Sequence, residues 1–308
     1  MQFSVPILFI IFKRKEVALK SFERIRQIKP LKLYIAGDGA RQGMAGEGKM
    51  VEATRQAIID AIDWPCEVKT LFRQDNLGCG LGVYSAIEWL FKNEEFGIIL
   101  EDDCIADFSF FHYVAELLDR YKDDNRIGMI AGFNQVTSYT PENSYCFSKY
   151  AACWGWATWR RAWNNMDLNM DFRKSRLRDV LANRGYMGKD CRRWLYQIRE
   201  IDTNHVSAWD WQWFFSLASQ NQLCIFPQVN LVSNIGDDGE ATHTAFSEIN
   251  INSHSLSFPL LHPKYVVPDV RFDEAFFRTG NTARRRLLRI LPYGLKQNIK
   301  KVLSSINK

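Results

Sequence analysis

The sequence lacks several features that would assign a protein class directly. Its seven cysteines include no C-x-x-C pair, which argues against a zinc site or a paired disulfide framework and favours a reducing compartment. The longest early apolar run, Val5 to Phe12, is far shorter than the ~20 residues of a membrane span, and no secretion signal precedes it. The expected location is therefore the cytoplasm, with at most peripheral attachment to the inner face of the membrane.

Strong charge of one sign is also missing. The net charge is +5, and much of the excess lies in residues 284–308, so nucleic acid is not an expected partner. What the chain does have is 308 residues, 46% of them hydrophobic, enough to bury the core of one large domain with a small annex. Many of its aromatic residues cluster between Tyr145 and Trp213.

Short apolar runs alternate with amphipathic segments up to Gly132, which is typical of β-α-β units and a mostly parallel sheet flanked by helices. The predicted strands are Val5–Phe12, Leu31–Ala36, Glu67–Phe72, Gly97–Leu100 and Ile127–Ala131. Apolar side chains at spacings of three and four predict three helices between them, with buried faces at Ala18, Phe22 and Ile25, at Val83, Ala86, Ile87 and Leu90, and at Phe110, Val114, Leu117 and Tyr121.

The pattern divides the chain into three parts. Residues 1–133 would form an α/β half, residues 134–270 the second half of the same domain, and residues 271–308 a basic amphipathic tail. The glycine-rich segment 43–49 is predicted to be a flexible loop, and the polar segment 234–246 a lid near the site.

Polar side chains follow three of the predicted strands, at Lys13-Arg14, Gly37-Asp38-Gly39 and Glu101-Asp102-Asp103. Ligands of open α/β sheets bind outside the carboxyl ends of the strands. An acidic triplet placed there could hold Mg²⁺ or Mn²⁺ against substrate phosphates. The alternative is a solvated loop in which Asp107 and Ser109 cap the next helix.

The triplet is one of several motifs that resemble a known family in the same order along the chain. These motifs are PILFIIFKR, AGDG, NLGCGLGVYSAI, GIILEDDCIADFSFF, ACWGWATWRRAW and AWDWQWF. Together they resemble the N-acetylglucosaminyltransferase I type of GT-A fold glycosyltransferase, and related bacterial sugar transferases, over roughly residues 4 to 246. The resemblance implies a GT-A, Rossmann-like fold and an inverting transfer from a nucleotide sugar. Residues 1–133 would then be the nucleotide-sugar-binding half of the catalytic domain, and residues 134–270 its acceptor side.

The resemblance also implies residue roles. Arg14 would contact the nucleotide and Asp38 the uridine, Asp103 would bind Mn²⁺, and Asp210 would be the catalytic base. The family has two adjacent acids at the last position, whereas here Trp211 follows Asp210. A helix N-cap for residues 211–217 is the alternative role for Asp210.

Four further residues are predicted to contact the donor. Glu101 and Asp102 would hold ribose or sugar hydroxyls, and Arg73 would meet a phosphate unless it forms an exposed ion pair. By the family pattern, His243 in the polar loop would reach the diphosphate, although a single loop histidine is often just exposed.

Trp154 and Trp156 would offer an apolar platform to the acceptor sugar, with core packing as the alternative.

The tail pairs an apolar stripe with basic residues. The stripe is Leu288, Leu291, Leu295, Ile299, Val302 and Ile306, and the basic set is Arg284, Arg285, Arg286, Arg289, Lys296, Lys300, Lys301 and Lys308. This pattern suits an anionic membrane surface, and equally a helix packed on the body with a solvated basic face.

Taken together, the sequence predicts a metal-dependent glycosyltransferase that moves a sugar from a nucleotide-diphosphate sugar, with UDP favoured, to a glycan or lipid-linked acceptor. Two alternatives stay open. One is a non-catalytic sugar-nucleotide or glycan-binding protein on the same fold. The other is a nucleotidyltransferase, for which the first strand lacks the expected glycine-rich phosphate loop.

Overall fold

The computed structural model describes residues 2–184, 189–203, 209–236 and 251–282. His243 and the basic tail from 284 onward therefore lie outside the described residues.

The core is a mostly parallel β-sheet flanked by helices, so the predicted α/β fold class is confirmed. Its strands are β1 (Ile7–Ile11), β2 (Lys32–Gly37), β3 (Glu67–Phe72), β4 (Phe96–Glu101), β6 (Ile127–Ala131), β7 (Tyr145–Ser148), β8 (Trp156–Trp159) and β9 (Leu223–Pro227). Their order across the sheet is β3-β2-β1-β4-β8-β6-β9-β7. The sheet is mostly parallel, because only β8 and β7 run against their neighbours.

Helices cover the sheet. They are α1 (Lys15–Ile28), α2 (Glu47–Asp60), α3 (Gly78–Asn93), α4 (Phe108–Arg120), α5 (Arg160–Trp163), α6 (Leu177–Arg184), α7 (Lys189–Asp202), α8 (Asp210–Ser219) and α9 (Val270–Gly280). A short 3₁₀ helix, Asp171–Lys174, precedes α6. Among the described residues, none of these helices is both long and apolar enough to cross a bilayer.

The five predicted strands all exist, with ends within about two residues of the prediction, and the three predicted helical faces are buried as expected. On α4, for example, Phe110, Val114 and Leu117 are completely buried. Helical spacing of apolar side chains places them on one side of the helix, where they pack against the sheet.

The prediction of a flexible loop over residues 43–49 is wrong at its end, because α2 begins at Glu47. Two glycines misled the composition-based prediction. Gly46, at φ 82°, is the N-cap of α2, and Gly48 lies inside its first turn.

The sequence pattern missed the strands that complete the sheet after residue 133. β8 inserts antiparallel between β4 and β6, and β9 pairs in parallel with β6. Both strands are fully buried, so they carry no alternation of polar and apolar residues. Strands from both sides of residue 133 therefore share one sheet and one core.

A second, two-stranded sheet fixes the end of β4. Strand β5 (Cys104–Ala106) follows the acidic triplet directly and pairs antiparallel with β10 (Val232–Asn234). Beyond it, the Asp107 side chain accepts a hydrogen bond from the Ser109 amide at 2.9 Å, so Asp107 is the N-cap of α4, as the alternative for this segment expected. The solvated loop of that alternative is wrong, because Asp102 is buried. The triplet is thus held between two strands.

Candidate functional site

A cavity of about 370 Å³ opens at the carboxyl ends of β1, β2 and β4. Its walls carry both signs of charge. The basic side chains are Lys13, Arg14, Arg41 and Arg73, and the acidic ones are Asp38, Glu101, Asp102, Asp103 and Asp210. The cavity therefore collects every charged donor-site residue predicted from the sequence within the described ranges, together with the predicted base.

The acidic triplet is tied to the end of β1. Arg14, at the N-cap of α1, donates from Nη2 to Asp102 Oδ1 at 2.6 Å and to Asp103 Oδ2 at 2.9 Å. The Phe12 amide donates to Asp102 Oδ2 at 3.3 Å. From the other side, Asn234 Nδ2 of β10 donates to Asp103 Oδ1 at 3.0 Å. The carboxylates are thereby held in fixed orientations, which a metal ligand requires.

Burial and the crowding of like charges raise the pKa values of Glu101 and Asp102. Burial, with repulsion from Asp103 and Asp102, raises the pKa of Glu101 to about 8. Burial also raises the pKa of Asp102 to about 6, although Arg14 opposes the shift. Burial disfavours the charged guanidinium of Arg14, but the two aspartates outweigh it and raise the pKa of Arg14.

Asp103 offers carboxylate oxygens to the cavity, the type of donor that Mg²⁺ and Mn²⁺ prefer. In the part of the chain that the structure describes, no three histidine, cysteine or acidic side chains converge as a ready cage. An ion at Asp103 would thus take its remaining ligands from substrate phosphates and water, the usual arrangement for Mg²⁺.

Asp38, predicted to contact uridine, lines the cavity at the end of β2. Its carboxylate accepts from the Leu77 amide at 2.9 Å and from the Gly78 amide at 2.9 Å, so it also anchors the start of α3. A Cβ at Gly82 would lie 3.2 Å from Asp38 Oδ2, so a larger residue there would push the carboxylate by a few tenths of an ångström. Asp38 thus has a structural role besides any contact with a ligand.

A cluster of ion pairs formed by Lys13, Arg41 and Glu47 was not predicted from the sequence. Glu47, buried at the first turn of α2, lies 3.2 Å from Lys13 Nζ and accepts from the Arg41 amide at 2.8 Å. The side chain of Arg41 also pairs with it, and its guanidinium lies 5.9 Å from the ring centre of Phe12. The sequence hinted only at Lys13, because it stands next to Arg14 at the end of β1.

Arg73 lines the cavity as expected for a phosphate contact. It donates from Nη2 to Ser85 Oγ at 2.8 Å rather than forming an exposed ion pair, and burial lowers its pKa.

Asp210 lines the cavity together with Trp154, Trp209 and Trp211. It is the first residue of α8, whose N-cap is Trp209, so the alternative role of Asp210 as N-cap is wrong. The Cys153 thiol lies 4.0 Å from Asp210 Oδ2. Burial raises the pKa of Cys153 and of the nearby cavity thiol Cys79, so both are neutral and neither is a nucleophile.

The tryptophans are divided differently from the prediction. Trp154 is half-buried and lines the cavity, as a sugar platform would. Trp156 is only 1% exposed, stacks on Trp209 at 5.6 Å and does not line the cavity, so its assignment to acceptor binding is corrected to core packing. Trp211 is half-buried and lines the cavity, which the sequence interpretation did not predict. Strand β8 places Trp156 on the face of the sheet where it packs against Trp163, Trp209 and Trp213.

No protein family model matches the chain, and no curated protein sequence is detectably similar to it. Among solved structures, the chain is similar to apo UDP-glucose pyrophosphorylase with a TM-score of 0.36 and 8% identity, over 74% of this chain and 93% of that chain. It is also similar to the glycosyltransferase GlyE of Streptococcus pneumoniae TIGR4 with a TM-score of 0.31 and 10% identity, over 73% of this chain and 54% of that chain. Likenesses this remote assign no function, which has to come from the residues of this chain.

Proposed function

We propose that the chain is a GT-A type glycosyltransferase that moves a sugar from a nucleoside diphosphate sugar, with a UDP-sugar expected, to a hydroxyl of a glycan or lipid-linked acceptor. The observation that carries the proposal is the single cavity in which the acidic triplet, four basic side chains and Asp210 meet. A diphosphate with its counter-ion needs both signs of charge close together, and an acceptor hydroxyl needs a base.

Each residue has a role in this reaction. A divalent ion held by Asp103 would supply charge neutralisation for the departing diphosphate. Arg14 fixes the orientation of Asp102 and Asp103, and Arg73 offers donors to a phosphate.

On the acceptor side, Trp154 and Trp211 present flat apolar faces to a sugar, and Asp210 accepts the proton of the attacking hydroxyl. Attack from the face opposite the diphosphate would invert the anomeric centre, as the family resemblance implies.

The test is an assay of the full chain with Mn²⁺, a panel of nucleoside diphosphate sugars and mixed glycan acceptors, with products identified by mass spectrometry. Release of nucleoside diphosphate together with a glycosylated acceptor is expected. Pyrophosphate production or consumption with a sugar phosphate would instead assign a nucleotidyltransferase. Binding of a sugar nucleotide without turnover of any donor would leave a binding protein.

The base is tested by Asp210→Asn. We expect transfer to fall by about 10²–10⁴-fold, the usual contribution of general base catalysis, with unchanged donor affinity. Asp119→Asn, at an aspartate whose side chain is 79% exposed, is the matched control and should keep full activity. Near-normal transfer by Asp210→Asn would remove Asp210 from the mechanism.

A further inference from the structure

The sheet ends in two edge strands, β3 and β7, and the chain covers only one of them in the described ranges. At the β7 edge, Pro268 forms a bridge with Phe147, and the Asp269 amide donates to the Phe147 carbonyl at 2.8 Å. No described segment pairs with the outer edge of β3. Because an uncovered edge strand presents unpaired N–H and C=O groups, β3 can accept a further strand.

The pairing of β3 with β2 determines which backbone groups of β3 point outward. The Glu67 amide donates to the Leu31 carbonyl at 2.8 Å, and the parallel register continues without a break to the end of β3. Successive residues of a strand direct their N–H and C=O groups to opposite edges, so the odd-numbered residues face β2. Val68 and Thr70 therefore direct theirs away from the sheet, and both residues are exposed.

The exposed part of β3 carries opposite charges on either side of an apolar residue. Glu67 and Lys69 flank Val68, and their side chains are 53% and 39% exposed, with Oε1 and Nζ 3.4 Å apart. Val68 itself is 37% exposed, and Leu31, its neighbour on the β2 side, is 43% exposed. A second copy of the same segment, running antiparallel, would meet the same pattern in reverse order.

Charge selects one register for such a pair. With a two-fold axis at Lys69, two lysines would stand directly opposite each other, which is destabilising. An axis at Thr70 would leave Lys69 opposite Leu71. With the axis at Val68, Glu67 of each copy stands opposite Lys69 of the other, and Val68 stands opposite itself. Glu67 and Lys69 then form non-hydrogen-bonded pairs, the type in which opposing side chains come closest.

We propose that the outer edge of β3 is a homodimer interface, at which two copies of the chain join their sheets antiparallel about a two-fold axis at Val68. The partner is a second copy because the surface is complementary to itself, as a two-fold interface requires. The carboxyl ends of the two β3 strands point in opposite directions, so each copy keeps its own cavity. One strand per copy is a small contact, so the dimer dissociates on dilution.

The test measures the molar mass of the full chain by analytical ultracentrifugation over about a hundredfold range of concentration. The mass should rise from that of one chain toward that of two. Over the same range, hydrogen exchange of the Val68 and Thr70 amides should slow, because these amides become hydrogen-bonded in the dimer.

Charge reversal locates the interface. Lys69→Glu places glutamates opposite each other, and Glu67→Lys does the same with lysines, so each variant alone should dimerise at least about tenfold more weakly. An equimolar mixture of the two variants restores opposite charges across the axis and should dimerise as the wild type does. The double variant Glu67→Lys/Lys69→Glu should do the same. Lys122→Glu, whose native side chain is 60% exposed after α4, is the control.

A wild type that stays monomeric over the whole range overturns the inference. Dimerisation of both single variants at wild-type strength overturns it too, since the copies would then meet at another surface. A double variant as weak as the single ones would show that the charge pairs across β3 do not form. The inference is independent of the proposed function, because neither Glu67 nor Lys69 lines the cavity.

Discussion

The two ends of the cavity are held in place by different interactions. The end formed by β1, β2 and β3 lies on parallel strands joined by helices, and its side chains are held by ion pairs such as Lys13–Glu47. The other end lies beside β8 and α8, and its frame is a cluster of tryptophans in which the ring centres of Trp163 and Trp213 are 5.0 Å apart. Ion pairs thus hold the side chains at the end formed by β1, β2 and β3. Packing between segments far apart in the sequence holds those at the other end.

The largest expected effect tests the aromatic frame. Trp156→Ala should destabilise the fold by about 3–5 kcal/mol, because it removes a buried indole that stacks on Trp209. Chemical denaturation measures the change. Trp211→Ala should cost clearly less stability and should instead weaken acceptor binding. Equal losses of stability in the two variants would contradict the division into core and cavity tryptophans.

A second, smaller effect tests the ion pairs of Glu47 with Arg41 and Lys13. Hydrogen bonds from Arg41, opposed by burial and aided by Lys13, lower the pKa of Glu47 from 4.5 to about 2. A carboxyl whose pKa is lower in the folded state stabilises the protein above its unfolded pKa and loses that contribution as pH falls.

Wild-type stability should therefore decline between about pH 4.5 and pH 2 by a component that Glu47→Gln lacks. The measurement is the melting temperature across this range. The exposed Glu142→Gln is the control and should follow the wild-type curve. Parallel curves for Glu47→Gln and wild type would show that the ion pair contributes nothing.

The comparison also explains what sequence reasoning could reach. Arg14, Asp38 and Asp103 were identifiable because strand ends in an α/β pattern converge at one edge. Glu47 was not, since its two partners are set by the position of α2, which the glycines around it concealed. Trp156 was misassigned because β8 joins the sheet through pairing with β4 and β6, contacts that no local pattern encodes.

The last expected effect is on membrane binding rather than on stability, and it concerns the basic tail. Deleting residues 284–308 should lower affinity for anionic vesicles, since basic residues near such a surface contribute about 1 kcal/mol each. Nucleotide binding should not change. Vesicle flotation with phosphatidylglycerol measures the effect. A drop in melting temperature with unchanged vesicle binding would favour a tail packed on the body.

The central claim is that a divalent ion at Asp103 meets the diphosphate of the donor. The most direct measurement is the affinity for UDP with Mn²⁺ and with EDTA, in the wild type and in Asp103→Asn. The account predicts at least about tenfold tighter binding with Mn²⁺ in the wild type and no metal dependence in the variant. An equal gain from Mn²⁺ in both proteins would contradict it.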